Sequence, residues 1–142
     1  NMDVISTSIT NLDIHDIART VATYGLVRYY IVHPHKAQGE IAQEIISYWQ
    51  EGYGSVYNPD RKTALDRVVI KESIQDVITD ITLFNGKKVK TIVTDARIFP
   101  NSTGYLELRE RIASSPDCNF LLLFGTGYGL AKEIMDNADY RL

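Results

Sequence analysis

A glycine-rich segment near the end of the chain is the clearest candidate for a ligand site. Residues 125–129 have the sequence Gly-Thr-Gly-Tyr-Gly and directly follow the apolar run 120–124. Because glycine has no side chain and permits positive φ, a flat ligand can approach the backbone N–H and C=O groups of such a turn. The alternative is an ordinary tight turn between a strand and a helix, which glycine also favours.

Three kinds of ligand site are compatible in principle with a glycine-rich turn. A dinucleotide site spaces its glycines G-x-G-x-x-G after an early strand, whereas the spacing here is G-x-G-x-G after the last predicted strand. A phosphate-binding loop of the type G-x-x-x-x-G-K-[ST] is absent from the sequence. The third kind is a site for S-adenosylmethionine, formed by backbone at the ends of strands, which needs no loop for gripping phosphate.

Arg19 is the side chain that we select as a candidate for catalysis. Its guanidinium can stabilise a phosphate or an electron-rich base, since its fork of N–H donors suits both. A surface ion pair with Asp16 or Glu40 explains it equally well from the sequence alone. His15 and Asp16 lie within one turn of Arg19, so either could take a proton from a base nitrogen. At the start of a helix, however, such residues more often cap the helix or interact with its dipole.

The other reactive or metal-binding side chains give weaker indications. Cys118 precedes the apolar run and is predicted to be a buried, neutral thiol, because reactive thiols need electropositive and partly exposed surroundings. His33 and His35 flank a proline, and the sequence places no third ligand with them. We therefore predict no metal site.

The charge of the chain limits how it can hold a nucleic acid. A net charge of −3 argues against binding through bulk electrostatics. A local basic patch remains an alternative, formed from Arg61, Lys62, Arg67 and the lysines at 87, 88 and 90, although solvated surface charge is the simpler explanation for each. Aromatic side chains offer another contact, because unpaired bases stack on them. The candidates are Tyr53, Tyr57 and Tyr128, of which the first two could equally pack at a dimer interface.

The elements that position these residues alternate between helix and strand. The spacing of apolar residues predicts five helices and four strands. The helices are expected over 13–24, 41–49, 74–81, 105–113 and 130–135, and the strands over 26–32, 67–70, 89–94 and 119–124. Single helices between strands predict a mostly parallel sheet with helices on both faces. Since such sheets bind ligands at the carboxyl ends of their strands, loops 94–97 and 125–129 should be neighbours.

Shorter patterns mark the ends of several elements. Gly25 is the expected stop of the first helix. Ser73 and Asp76 form a plausible capping pair, because the hydroxyl can accept a hydrogen bond from the first turn of the helix that follows. The Asn85-Gly86 pair ends that helix. Residues 138–142 read as the beginning of another strand.

Length and composition are those of one globular domain, predicted over residues 1–142. The chain has 44% hydrophobic and 23% charged residues, which is typical of globular proteins. No apolar run approaches the roughly 20 residues that cross a bilayer, and the sequence as given shows no signal peptide. We therefore predict a cytoplasmic protein without membrane contact. Asn1 precedes a methionine, and residues 138–142 read as the beginning of a strand. We therefore expect the domain to be incomplete at both ends.

Two sets of motifs resemble a known enzyme class. Asn11-Leu12, Arg19-Thr20 and Tyr24-Gly25-Leu26 resemble the first motif of the SPOUT class of RNA methyltransferases, and residues 122–130 resemble its second motif. Stretches 49–55 and 57–61 further resemble a little-characterised bacterial branch of that class. Together these matches span most of the chain. The spacing between Asn11 and Arg19 is longer than in the best-known branch, and the glycine segment lacks an acidic residue found there.

The resemblance implies a SPOUT fold, a homodimer and a pocket for S-adenosylmethionine made of three loops beside a C-terminal trefoil knot. Two of the loops can be placed, and the third would belong to a knot segment after Leu142 that this chain does not contain. Arg19 would be the catalytic residue, and the substrate would be an RNA, either tRNA or rRNA. The implied cofactor-binding residues are Thr94, Asp95, Ala96, Phe124, Gly125, Thr126, Gly127 and Gly129.

Three functions therefore stand as hypotheses. The leading one is transfer of a methyl group from S-adenosylmethionine to an RNA nucleotide. A second is a non-catalytic module that binds RNA or protein and keeps the SPOUT-like fold. A third is an enzyme that handles another adenine-containing small molecule at the same loop.

Overall fold

The computed structural model describes residues 5–142, which divide into two compact units. The N-terminal unit comprises residues 8–77, and the C-terminal unit comprises the described residues before Ser8 together with residues 78–142. Each unit is an arrangement of helices around a short parallel sheet, so the predicted α/β class with parallel strand pairing is confirmed. The single domain expected over residues 1–142 stays a prediction.

The N-terminal unit contains four helices and a sheet of two strands. Its elements are α1 (Asn11–Thr23), β1 (Tyr29–Val32), α2 (Lys36–Gln50), α3 (Tyr53–Tyr57), α4 (Pro59–Leu65) and β2 (Val68–Lys71). Strands β1 and β2 are parallel, with Tyr29 opposite Val68. The apolar stripe expected on the first helix is buried at Ile14, Ala18 and Val21. It contributes to a core whose members are Ile14, Ala18, Ile31, Ala42, Ile46, Ala64 and Leu65.

The first helix ends at a Schellman motif, in which two N–H groups beyond the helix return to its last carbonyls. Gly25 has φ +66°, and its N–H donates to the carbonyl of Ala22 at 3.2 Å. The N–H of Leu26 donates to the carbonyl of Val21 at 2.9 Å. Gly25 is therefore confirmed as the stop. Because Leu26 is committed to this motif, β1 begins at Tyr29 and not at 26 as predicted.

The C-terminal unit is built on three parallel strands. Helix α5 (Ile74–Asn85) leads into it, and the elements that follow are β3 (Lys88–Val93), α6 (Tyr105–Ala113), β4 (Cys118–Leu123), α7 (Lys132–Asn137) and β5 (Tyr140–Arg141). Strand β3 lies between β4 and β5. Its end is paired on both sides, since Val93 lies opposite Leu123 and Arg141.

Several predicted features are confirmed and others need correction. The Asp76 N–H donates to the Ser73 hydroxyl at 3.1 Å, so the predicted cap is present. The described strands form two sheets, of two and three strands, where one sheet was expected. The short helices α3 and α4 were not predicted. Cys118 is half-buried and not buried, because it stands at the first position of β4, before the apolar run.

Candidate functional site

The carboxyl ends of β3 and β4 bring two of the predicted loops together. Val93 and Leu123 are paired at the last position of each strand. The hydroxyl of Thr94, the first residue after β3, donates a hydrogen bond to the carbonyl of Leu123 at 3.2 Å. Loops 94–97 and 125–129 therefore leave the sheet side by side, and their predicted adjacency is confirmed.

The glycine segment folds back on itself in a way that other residues would prevent. The Gly129 N–H donates to the carbonyl of Thr126 at 2.7 Å, and Gly129 has φ +76°. A Cβ added to Gly125 would lie 2.3 Å from the carbonyl carbon of Gly129. The loop needs glycine at 125 for space and at 129 for its backbone conformation.

The exposed side of this loop presents open backbone and two aromatic rings. A Cβ added at Gly127 would meet no atom within 4 Å, so the backbone there is open to close approach. The flanking rings of Phe124 and Tyr128 are 64% and 80% exposed, and their apolar faces can pack against a flat base. The Thr7 and Thr126 hydroxyls lie 2.5 Å apart and are hydrogen-bonded, so both hydroxyls belong to this surface. No sequence pattern predicted that Thr7 would lie here.

In the neighbouring loop, Asp95 is bound by an arginine two residues away. Arg97 donates from Nε and Nη2 to the two carboxylate oxygens at 2.9 and 2.8 Å, and its backbone N–H donates to the same carboxylate at 2.8 Å. These hydrogen bonds lower the pKa of Asp95 to about 2. The Arg97 guanidinium also lies 5.3 Å from the centre of the Phe99 ring. The Asp95 carboxylate therefore stabilises the conformation of loop 94–97.

The last residues of the chain reach the same edge of the sheet. The Leu142 N–H donates to the carbonyl of Val93 at 2.9 Å, and the Asp95 N–H donates to the carbonyl of Leu142 at 3.4 Å. On the other side, the Thr103 N–H donates to the carbonyl of Arg141 at 2.7 Å. The connection that follows β3 and the last residues of the chain are therefore joined by hydrogen bonds at this edge.

Arg19 lies in the N-terminal unit, on the exposed face of α1. Its guanidinium is 3.9 Å from the carboxylate of Asp16, and the side chain is 64% exposed. Such a long, solvated ion pair holds an arginine only weakly. Arg19 and Asp16 line an open depression of about 300 Å³ together with Thr20, Thr23 and Tyr24. The guanidinium is therefore accessible to a ligand, as a residue that contacts substrate must be.

A cluster around Trp49, which sequence reasoning missed, also lies in the N-terminal unit. The His15 ring meets the Trp49 ring edge to face at 5.6 Å, and the Arg61 guanidinium lies 4.5 Å from the ring centre. Burial, followed by the positive charge of Arg61, lowers the pKa of His15. Two buried atoms of this cluster, His15 Nδ1 and Arg61 Nε, have no hydrogen-bond partner among the described residues. Buried polar atoms of this kind are uncommon in folded proteins.

Residues 5–142 contain neither a metal-binding cluster nor a membrane-spanning helix. No group of three or more His, Cys, Asp or Glu side chains in this range is arranged to hold a metal ion. Within the same range, no helix combines the length and the apolar character that crossing a membrane requires.

Comparison with known proteins gives relatives along the whole chain. A protein of Aquifex aeolicus described as uncharacterized is 38% identical over 139 residues, which is 98% of this chain and 67% of that protein. A tRNA (guanine-N(1)-)-methyltransferase of Oleidesulfovibrio alaskensis is 38% identical over 135 residues, covering 95% of this chain. An enzyme with the same name from Nitratidesulfovibrio vulgaris is 37% identical over 134 residues, covering 94% of this chain. The chain spans only 31% of each of these two enzymes.

The family comparison covers every residue. The model of a family described as SAM-dependent RNA methyltransferase matches residues 1–142. Its description combines a cofactor and a class of substrate that are consistent with the backbone-lined edge at β3 and β4. The chain belongs to the family of S-adenosylmethionine-dependent RNA methyltransferases.

Proposed function

We propose that this protein transfers a methyl group from S-adenosylmethionine to a nucleotide of tRNA or rRNA, and that its fold is of the SPOUT type with a trefoil knot. The observation that carries the proposal is the pairing of Val93 with Leu123, because it places two loops with accessible backbone at one edge of a parallel sheet. Ligands bind at this edge in open α/β sheets.

The two loops are proposed to hold the cofactor. Bound S-adenosylmethionine supplies an electrophilic methyl group on a sulfonium centre. The task of the protein is to align the RNA nucleophile with that methyl group and to exclude water. The open backbone at Gly127 and the exposed Phe124 ring are suited to the adenosyl part. The residues assigned to the cofactor are Thr94, Asp95, Ala96, Phe124, Gly125, Thr126, Gly127 and Gly129.

Arg19 is proposed to be the catalytic residue that contacts the RNA. Its guanidinium is exposed and held only by a distant Asp16 carboxylate. A guanidinium can donate two parallel hydrogen bonds to a phosphate or to the edge of a base, and so neutralise charge that develops there.

The relatives favour tRNA as the RNA. Two of them are named as tRNA (guanine-N(1)-)-methyltransferases. Because the matching region is 31% of each of these enzymes, their named activity belongs to the whole proteins and is not assigned to the shared region. We propose a homodimer and a cytoplasmic location as well, since both follow from the resemblance to enzymes that modify tRNA or rRNA.

The test compares Arg19→Ala with Arg111→Ala, each in a form of the protein extended beyond Leu142. Arg111 is a matched control, since it is an exposed arginine paired with Glu107 at 3.0 Å on another helix. We expect Arg19→Ala to lower the rate of methyl transfer to total tRNA by about 100- to 1,000-fold. We expect its stability to change by less than about 0.5 kcal/mol. Transfer is followed with S-adenosylmethionine labelled in the methyl group, and cofactor affinity by calorimetry.

The outcomes separate the parts of the proposal. Full transfer by Arg19→Ala would show that the arginine is not catalytic. If the labelled methyl group appears in rRNA and not in tRNA, the substrate is rRNA. A longer form of the protein that binds no S-adenosylmethionine would overturn the cofactor assignment.

A further inference from the structure

Two exposed tyrosines on α3 form a parallel pair that the proposed reaction does not use. Tyr53 and Tyr57 lie four residues apart, so their side chains project from the same face of the helix. The ring planes are inclined by 22°, and the ring centroids are 6.4 Å apart. Each residue is 74% exposed. We refer to Tyr53 and Tyr57 as the tyrosine clip.

Contacts on its buried side hold helix α3 in place. Gly54 is buried against Trp49, where an added Cβ would lie 2.6 Å from the Cε3 atom of the indole. The Arg61 guanidinium lies 4.5 Å from the centre of the Trp49 ring. At the end of α3, the Asn58 N–H donates to the carbonyl of Gly54 at 3.0 Å. The backbone positions of both tyrosines are therefore set before any ligand arrives, which reduces the entropy lost on binding.

The ring centroids are almost far enough apart to admit one planar ligand. A flat ring held between two others needs van der Waals contact on each side, or about 7 Å between the outer rings. The observed 6.4 Å is slightly smaller, and exposed tyrosine side chains can adjust by small rotations. A nucleobase has the required flat shape, and it stacks on tyrosine whatever its identity.

We infer that the tyrosine clip binds one unpaired nucleobase of the RNA between its two rings. This inference rests on the proposed function, which supplies RNA as the substrate. It also explains how a protein of negative net charge can bind RNA. A net charge of −3 gives little bulk electrostatic attraction to RNA. Stacking supplies affinity that does not depend on net charge.

The test uses a short single-stranded RNA that carries one 2-aminopurine, whose fluorescence falls when it stacks. The full 142-residue chain is compared with Tyr53→Ala, Tyr57→Ala and the corresponding Phe variants. The control is Tyr105→Ala, since Tyr105 is 80% exposed on another helix. We expect either Ala variant to weaken RNA binding by about 5- to 100-fold and to restore the fluorescence. The Phe variants should bind like the original protein, because they keep the ring.

Any one of three results would overturn the inference. One is an unchanged affinity and unchanged quenching in both Ala variants. Another is that analytical ultracentrifugation shows a dimer of the original protein and a monomer of these variants, while RNA binding stays the same. The clip would then bind a second copy of the chain. If the original protein itself binds no single-stranded RNA, the clip has no such ligand. Calorimetry with S-adenosylmethionine, on a form of the protein extended beyond Leu142, then tests separately whether the cofactor part of the proposed function survives.

Discussion

His15 holds its imidazole against Trp49 and near the charges of Arg61, Asp16 and Arg19. Burial and Arg61 lower its pKa below the usual 6.5, so the folded chain binds fewer protons at this site than the unfolded chain does. The contribution to stability is then complete above about pH 6.5 and is lost as the pH falls through the folded-state pKa. We expect the free energy of unfolding to decrease over this range, as measured by urea denaturation at a series of pH values.

The matched variant is His15→Gln, which keeps a polar side chain and cannot titrate. Its stability should depend less on pH below about 6.5 than that of the original chain. An NMR titration of the His15 ring gives the pKa directly. A value above 6.5 would mean that Asp16 outweighs both burial and Arg61.

At the scale of elements, alanine substitutions at Gly125 and Gly127 of the glycine loop should have different effects on stability. Gly125→Ala places a methyl group 2.3 Å from the backbone of Gly129, so we expect the free energy of unfolding to fall by about 1–3 kcal/mol. Gly127→Ala meets open space and should leave stability unchanged or raise it by up to about 1 kcal/mol. If S-adenosylmethionine contacts this backbone, Gly127→Ala should nevertheless bind it at least about tenfold more weakly.

The two measurements are urea denaturation and calorimetric titration of each variant in a form of the protein that binds the cofactor. Equal cofactor affinity in Gly127→Ala and the original protein would move the ligand away from this loop. A stable Gly125→Ala variant would show that the loop can adopt another conformation.

The elements that could be predicted are those whose signals are local. Helix α6 was expected over 105–113 and begins and ends at those residues, because its periodicity and its flanking turns agree. Helix α4 also had a local signal that was not used: Pro59 stands at its first turn, and the Asn58 side chain accepts from the Arg61 N–H at 3.0 Å. Helix α3 had none, since five residues that include a glycine are helical only through packing on Trp49.

The same distinction applies to the candidate site. The adjacency of loops 94–97 and 125–129 follows from strand order, so alternation of helix and strand was enough to predict it. The bidentate contact between Arg97 and Asp95 depends on side-chain conformations within a turn. The contact of His15 with Trp49 joins two helices through tertiary packing. Sequence periodicity carries no information about either.

At the scale of the whole molecule, affinity for the cofactor should depend on the length of the chain. Leu142 is hydrogen-bonded to Val93 and Asp95, so residues added after it would start beside one of the two loops proposed to hold the cofactor. We expect this chain to bind S-adenosylmethionine weakly or not at all and a version extended beyond Leu142 to bind it measurably. Each net hydrogen bond contributes about 1 kcal/mol, so a few of them change affinity by about a hundredfold.

Calorimetry of both forms measures this difference, and hydrogen exchange locates it. In the extended form, saturating S-adenosylmethionine should increase protection at residues 125–129 and in the added segment. Equal affinity in the two forms would show that the two loops suffice. Unchanged protection in both places would count against the cofactor assignment as a whole.

The pairing of β5 with β3 also sets an order of assembly. The Thr91 N–H donates to the Asp139 carboxylate across a separation of 48 residues, at 2.8 Å, whereas β4 reaches β3 across a shorter stretch of chain. Closing the longer loop costs more chain entropy, and the two residues of β5 return few contacts for it. Strand β5 should therefore join the sheet last during folding and leave it first in local opening. Because the Asp95 N–H donates to the carbonyl of Leu142, each such opening also removes one hydrogen bond from the loop proposed to bind the cofactor.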